Sequence, residues 1–366
     1  GETSRPAGAR AGNQATGGAA PWEGPDSQGP SGFGLANEPG VKRLSARRRS
    51  LQLMNMLNSG TCAFSGENLP LPSAGREDDE GGFAGWDYIL LDPPCSGWGT
   101  VEKNPQVLSL WQGDKLKPLV SLQRMLLREA FRLLRPGGCL TYSTCTVNVQ
   151  ENEEQVRWAL SGLDAEFGGG AVSLLPLGQY AGFAFEAPWP DGAESGVSVQ
   201  TSGEGGSAFP NHPGTVTETD CDGVLRVSMD SPLGQGFFIA ALRKSVNAAP
   251  LENGKKGSAA KKHSAGFAKR GPKPGSRRSA EIAEAGNVFL PFSAIEAPLV
   301  DTALLPPGRL ALQRGNLVFL PQAGTDRLPS GFAWNGFPLG KSTGEGSRPR
   351  VDTGLRALMP SLAEAA

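Results

Sequence analysis

The chain has 366 residues, room for about two domains with buried cores, and a formal net charge of −1 that by itself points to no polyanionic partner. Its 51 Gly and 30 Pro mark much of it as loop. No run of about eighteen apolar residues and no signal-peptide pattern occurs, so the expectation is a soluble, cytoplasmic protein without a helical membrane span. The five cysteines, Cys62, Cys95, Cys139, Cys145 and Cys221, form no CxxC pair, and only two histidines, His212 and His263, accompany them. That pattern speaks against a metal site and for free thiols. The first residue is Gly1 rather than Met, which leaves a longer gene product open.

Residues 1–32 are Gly, Ala, Pro and Ser with almost no aliphatic residue, and read as disordered. A short strand follows at 33–39 and ends in the acid Glu38. A helix is expected from Gly40 to Leu57, with Val41, Leu44, Leu51 and Met54 on one side. Its basic residues, Lys42, Arg43, Arg47, Arg48 and Arg49, read either as a solvated face or as a phosphate contact. A weak strand, Thr61 to Phe64, precedes an acidic loop at 77–80.

The chain is organised around Trp86 to Thr146. An apolar, β-leaning run, Trp86 to Leu91, breaks at Asp92-Pro93-Pro94-Cys95-Ser96-Gly97, because proline ends a strand. A helical pattern runs from about Lys117 to Leu134 and stops at Arg135-Pro136-Gly137-Gly138. A second strand, Cys139 to Ser143, ends in Thr144-Cys145-Thr146. Strand, helix, strand is a βαβ unit, and ligands of open parallel sheets gather at the carboxyl ends of the strands. Cys95 and Cys145 are therefore expected on one rim.

Beyond Thr146, Glu151-Asn152-Glu153-Glu154 reads as the first turn of a helix, where the dipole favours acids. Residues 187–222 read as an inserted loop. Val224 to Val227 and Gly236 to Leu242 read as antiparallel strands closing the sheet, which sets the first domain at 33–243. A basic, flexible linker spans 244–284. From Lys255 to Arg278 it has basic residues and no acid, so it reads equally as a solubilising spacer or a polyanion contact. A second unit, 285–360, shows short β-like runs about ten residues apart, as in a small barrel or sandwich.

The residue types at the two strand ends point to a chemistry. An Asp-Pro-Pro turn sets a carboxylate and rigid carbonyls at the rim, suited to the polar edge of a flat base. With an aromatic next, it would fit methylation of an exocyclic amine, but here the next residue is Cys95. Carbon 5 of a pyrimidine is a poor nucleophile until a thiolate adds to carbon 6, a step for which cysteine is best suited. Cys62, Cys139 and Cys221 read as small buried hydrophobes.

These segments resemble a known family. Leu35-Ala36-Asn37-Glu38, Ile89 to Gly97, Leu134 to Gly138, Tyr142 to Thr146 and Glu151-Asn152-Glu153 are similar, in order, to the motifs of the Nop/Sun (RsmB and RsmF) RNA cytosine-5 methyltransferases, RsmF-like members above all. The resemblance runs from about Leu35 to Arg243. It implies an α/β, Rossmann-like sheet dependent on S-adenosylmethionine, with ribosomal RNA as substrate, transfer RNA second, and a monomer. It further implies that Cys145 is the nucleophile on carbon 6, that Cys95 assists release of the adduct, that Asp92 lies between cofactor and base, and that Glu38 takes the cofactor's ribose hydroxyls. Lys103 and Gln123 match family positions without an assigned role. Residues 285–360 resemble more weakly a PUA-like RNA-binding domain, through Phe337-Pro338-Leu339-Gly340 and Arg356-Ala357-Leu358-Met359.

The chain departs from the family pattern as well. No strand leading into a Gly-rich Ala-Pro-Gly-Gly-Lys loop occurs in residues 1–34, and the acid expected after the third strand is replaced near Ser65-Gly66, with Glu67 close by. Half a cofactor site is expected, either because the sequence begins inside a longer gene or because it is a decayed copy. Two function classes follow: an RNA cytosine-5 methyltransferase lacking its amino-terminal part, or a non-catalytic RNA-binding remnant. The paired cysteines favour the first and the missing loop the second.

Overall fold

The structure, a computed structural model, describes residues 32–69, 85–110, 116–177, 184–186, 223–231, 235–248, 287–290, 305–313, 315–329, 332–341 and 350–351. The expected disordered segment before residue 32, the acidic loop, the inserted loop 187–222, most of the linker, Cys221, both histidines and the Arg356–Met359 motif lie outside them.

Two parallel strands, β1 (Gly34–Asn37) and β2 (Ser59–Cys62), are joined by α1 (Val41–Leu53). The strand after the helix thus starts two residues earlier than Thr61, the start expected from its apolar letters. The central unit follows as β3 (Trp86–Leu91), a short α2 (Gln106–Leu110), α3 (Leu116–Leu133) and β4 (Leu134–Thr144). β3 and β4 pair in parallel, as a βαβ unit requires. Alternation along β3 turns Ile89 and Leu91 onto the core and leaves Tyr88 and Leu90 exposed. Gln123, Leu127, Ala130 and Phe131, one helical face of α3, are buried.

β4 begins five residues before the expected Cys139. Pro136, Gly137 and Gly138 read as a helix stop followed by a loop, yet they belong to the strand. The register against β3 jumps from Trp86↔Leu134 to Tyr88↔Cys139, so the extra residues form a bulge, with Gly137 at φ 76° in a conformation that glycine tolerates.

After β4 a 3-10 turn, Val149–Glu151, leads to α4 (Glu153–Trp158), which continues through a π-helical stretch, Ala159–Leu163, into α5 (Asp164–Phe167). β5 (Val172–Leu174), β6 (Phe185–Glu186), β7 (Val224–Val227) and β8 (Phe237–Lys244) complete a six-stranded mixed sheet in the order β3-β4-β8-β7-β6, with β5 also on β8. β7 and β8 are the expected antiparallel additions. Lys244, read as the first linker residue, is instead the buried end of β8, where its Nζ donates to the carbonyls of Phe131 and Leu134. Tyr142, Phe131, Phe167 and Phe238 fill the core between this sheet and the helices.

The last unit is one antiparallel five-stranded sheet, β9 (Asn287–Leu290), β10 (Gly308–Gln313), β11 (Asn316–Pro321), β12 (Phe337–Lys341) and β13 (Arg350–Val351), with α6 (Gln322–Arg327) between β11 and β12. The segment before β12 reaches β2: Thr61 and Asn335 exchange both backbone hydrogen bonds, each 2.8 Å. Trp334 lies over Gly60, where a Cβ would sit 2.5 Å from its ring. Cys62, Leu328 and Phe332 share one cluster with Phe33, Phe64, Trp86 and Trp334. Among the described residues, β1 and β3 each pair with a single neighbouring strand.

Candidate active site

The site is built on the carboxyl ends of β3 and β4. Past Leu91 the chain turns through Asp92-Pro93-Pro94-Cys95-Ser96, and Gly97, at φ 73°, lets it reverse into a 3-10 turn at Trp98–Thr100. This loop then seats on the end of β4. Gly99 N donates to the Cys145 carbonyl at 3.0 Å, and Gly236 N donates to the Gly99 carbonyl at 2.9 Å. A Cβ at Gly99 would stand 2.2 Å from the Gly236 carbonyl oxygen, so only glycine permits this approach.

The docking brings the two expected cysteines together, with Cys95 Sγ 3.2 Å from Cys145 Sγ and both thiols half-buried. They do not titrate alike. The hydrogen bond from Cys95 to the Cys145 sulfur lowers the Cys145 pKa from 9.0 to about 7, against burial and the nearby carboxylates of Asp92 and Glu151. The same bond, with deeper burial, pushes the Cys95 pKa up, so Cys95 keeps its proton. Of the two, Cys145 is the thiol whose ionised form the site favours.

Asp92 is exposed beside the pair and is felt electrostatically at Cys145. Glu38 directly follows β1, which lies in the two-stranded sheet. Its Oε1 accepts from Gly40 N at 2.7 Å and pairs with Arg43 Nη2 at 2.9 Å, and its backbone N–H donates to the Cys62 carbonyl at 3.0 Å. Lys103 is exposed in the turn after Thr100. Gln123 is wholly buried, and its Nε2 donates to the Pro94 carbonyl and to Glu151 Oε2, each at 2.9 Å.

Glu151 was read as a helix-dipole acid, and the structure corrects this. It lies in the 3-10 turn before α4, fully buried, and accepts from Ser96 N at 2.9 Å and Ser96 Oγ at 2.5 Å. Since the Ser96 hydroxyl gives its one proton to Glu151, the Thr146 hydroxyl 2.8 Å away donates to Ser96. Glu153 is equally buried and pairs with Arg226 at 2.6 Å, while Arg226 Nη2 donates to the Val147 carbonyl. The sequence signal for these residues was an acid-rich tripeptide directly after a cysteine motif. Their partners lie too far along the chain to be read from it.

A mixed α/β sheet with a cysteine at the ends of two adjacent parallel strands defines the class. Residues 30–166 match the family described as 16S rRNA methyltransferase RsmB/F. Curated relatives carry the description ribosomal RNA small subunit methyltransferase F. The Cronobacter sakazakii protein is 33% identical over 222 residues, which is 60% of this chain and 36% of that protein. The Salmonella heidelberg protein is 38% identical over 160 residues, 43% of this chain and 30% of the other. The Klebsiella pneumoniae protein is 36% identical over 225 residues, 61% of this chain and 37% of the other. The chain thus spans about a third of the length of these relatives. Among solved structures, NSun6 from Pyrococcus horikoshii, crystallised with SFG, overlaps 58% of this chain and 41% of its own at a TM-score of 0.38 and 24% identity.

Proposed function

We propose that the chain is the catalytic and carboxyl-terminal part of an S-adenosylmethionine-dependent RNA cytosine-5 methyltransferase, with ribosomal RNA as substrate and transfer RNA as the second choice. The observation that carries this reading is the 3.2 Å approach of Cys95 to Cys145, one holding a proton and the other near neutrality as thiolate. Pairing of two unequal thiols suits addition to a pyrimidine ring followed by elimination.

In this reading Cys145 adds to carbon 6 of an extruded cytosine, which makes carbon 5 nucleophilic. S-adenosylmethionine, when bound, supplies an electrophilic methyl group. Carbon 5 would take that methyl group; the sulfur–carbon 6 bond then breaks as carbon 5 passes its proton to solvent water, and the Cys145 sulfur leaves as thiolate. Cys95, the protonated partner, donates its hydrogen bond to that departing sulfur and so assists release. Asp92 faces the rim where the base enters. Glu38, whose Oε1 is already engaged by Gly40 and Arg43, keeps Oε2 as acceptor for a ribose hydroxyl, so its place and chemistry fit the cofactor. The five-stranded sheet of the last unit supports the PUA-like, RNA-binding reading of residues 285–360, and the cytoplasm is the proposed site of action.

The test is methylation by the protein expressed from its complete reading frame, with small-subunit ribosomal RNA and transfer RNA offered separately and 5-methylcytosine measured by mass spectrometry. Label in ribosomal RNA that is lost in Cys145→Ala supports the proposal. Absence of 5-methylcytosine in both RNAs, with RNA binding retained, would leave the non-catalytic RNA-binding reading in its place.

A further inference from the structure

Each cysteine is held on its flanks by one of two consecutive side chains, on the Cys95 side with the help of Gln123. On the Cys95 side, the buried Glu151 carboxylate takes Ser96 N–H and Ser96 Oγ–H, and Gln123, itself bonded to Glu151, takes the Pro94 carbonyl. Cys95 thus sits between two peptide units tied to the same carboxylate–amide pair. On the Cys145 side, Asn152 Oδ1 accepts from Thr144 Oγ1 at 2.6 Å, and Asn152 Nδ2 donates to the Thr146 carbonyl at 2.9 Å. Glu151 and Asn152 are both wholly buried. The Tyr142 hydroxyl donates to the Glu151 carbonyl at 2.7 Å and fastens the dipeptide to β4 itself.

From this arrangement we infer that Glu151 and Asn152 are positioning residues that together set the separation of the two thiols, Glu151 by holding the Cys95 loop and Asn152 by holding the Cys145 turn. The physical reason is the number and kind of bonds. A buried carboxylate costs folding energy unless its lone pairs are filled by donors, and three donors from two elements fill them here. A buried amide that satisfies groups at both 144 and 146 leaves residue 145 little freedom. The spacing between sulfurs is then the sum of two rigid arms that meet in one dipeptide. Neither side chain touches the sulfurs, so both act through Cys95 and Cys145.

The inference rests on Cys95 and Cys145 as the reacting pair, and its test needs neither cofactor nor RNA. The chain is treated with a diazene oxidant, which takes two hydrogens from two thiols and leaves a disulfide, and closure of the Cys95–Cys145 bond is followed by peptide mass mapping. The unaltered chain is expected to close this bond in preference to any bond with Cys62 or Cys139. Glu151→Gln, which keeps size but turns one acceptor into a donor, and Asn152→Asp, which turns the donor to the Thr146 carbonyl into an acceptor, should each slow closure by about tenfold, the scale of one lost buried hydrogen bond. Ser96→Ala keeps the backbone N–H to Glu151, disturbs packing least, and should slow closure by a smaller factor. Glu154→Gln, next along the same turn, should leave the rate unchanged. Thermal unfolding confirms which variants are folded at the assay temperature, and Ser96→Ala decides the matter if both buried variants are not. Equal closure rates in the folded variants and the unaltered chain would overturn the inference, as would failure of the unaltered chain to close the bond. Closure that slows as expected, in a protein that methylates no cytosine, would keep the clamp and discard the proposed function.

Discussion

Cys95 Sγ stands 3.2 Å from Cys145 Sγ, a contact that pushes the Cys95 pKa up and the Cys145 pKa down. Alkylation of Cys145 should therefore rise with pH through about 7. In Cys95→Ala the hydrogen bond that stabilises the thiolate is gone, and the midpoint should move up toward the ordinary 9.0 or beyond, since burial and the two carboxylates remain. At pH 7 the alkylation rate should fall by more than about tenfold. Rates of iodoacetamide labelling against pH, read on the Cys145 peptide, check this. An unchanged midpoint would mean that Cys95 does not hold the Cys145 thiolate.

Gly99 carries the contact that seats the Cys95 loop on β4. Gly99→Ala places a methyl group 2.2 Å from the Gly236 carbonyl and 2.9 Å from the Cys145 carbonyl, both backbone atoms. The loop has to lift or the strand end has to yield, at a cost of about 1–3 kcal/mol. Chemical denaturation should show that loss, together with slower formation of the Cys95–Cys145 disulfide.

Lys244 makes stability depend on pH in the alkaline range. Burial, helped by Arg132, lowers its pKa from 10.5 to about 8. Between these values the unfolded chain binds the proton and the folded protein does not, so stability rises with pH from about 8 to 10.5, and the penalty is fully present below 8. At about 1.4 kcal/mol for each pH unit the swing is about 3 kcal/mol. Urea unfolding at pH 7.5 and pH 10 should show the unaltered chain gaining stability relative to Lys244→Met, and parallel behaviour of the two would refute the assignment.

The parts legible in the sequence were those whose signal is local. Trp86–Leu91 is an apolar, β-leaning run that breaks at two prolines, α3 repeats its apolar residues at helical spacing, and the two cysteine motifs close their strands, so the β3-α3-β4 unit and its rim could be expected. The start of β4 could not, because Pro136-Gly137-Gly138 carries the letters of a loop and only pairing with Trp86 and Tyr88 turns it into a bulged strand. Glu151 was illegible for a related reason. An acid ahead of a helix looks solvated until Ser96, 55 residues earlier, and Gln123, 28 residues earlier, are brought to it. Lys244 likewise looked like the first residue of a basic linker, since the carbonyls that hold it belong to α3 and β4.

The most direct test of the central claim is a denaturing gel of protein and labelled RNA, run with the protein expressed from its complete reading frame and with S-adenosylmethionine present. Cys145→Ala lacks the nucleophile and should give no adduct and no methylation, with RNA binding largely intact. Cys95→Ala should form the bond to carbon 6 but release it slowly, so a protein–RNA band should survive denaturation. The double variant should show none. A band that appears only in Cys145→Ala would reverse the roles of the two cysteines and contradict the account.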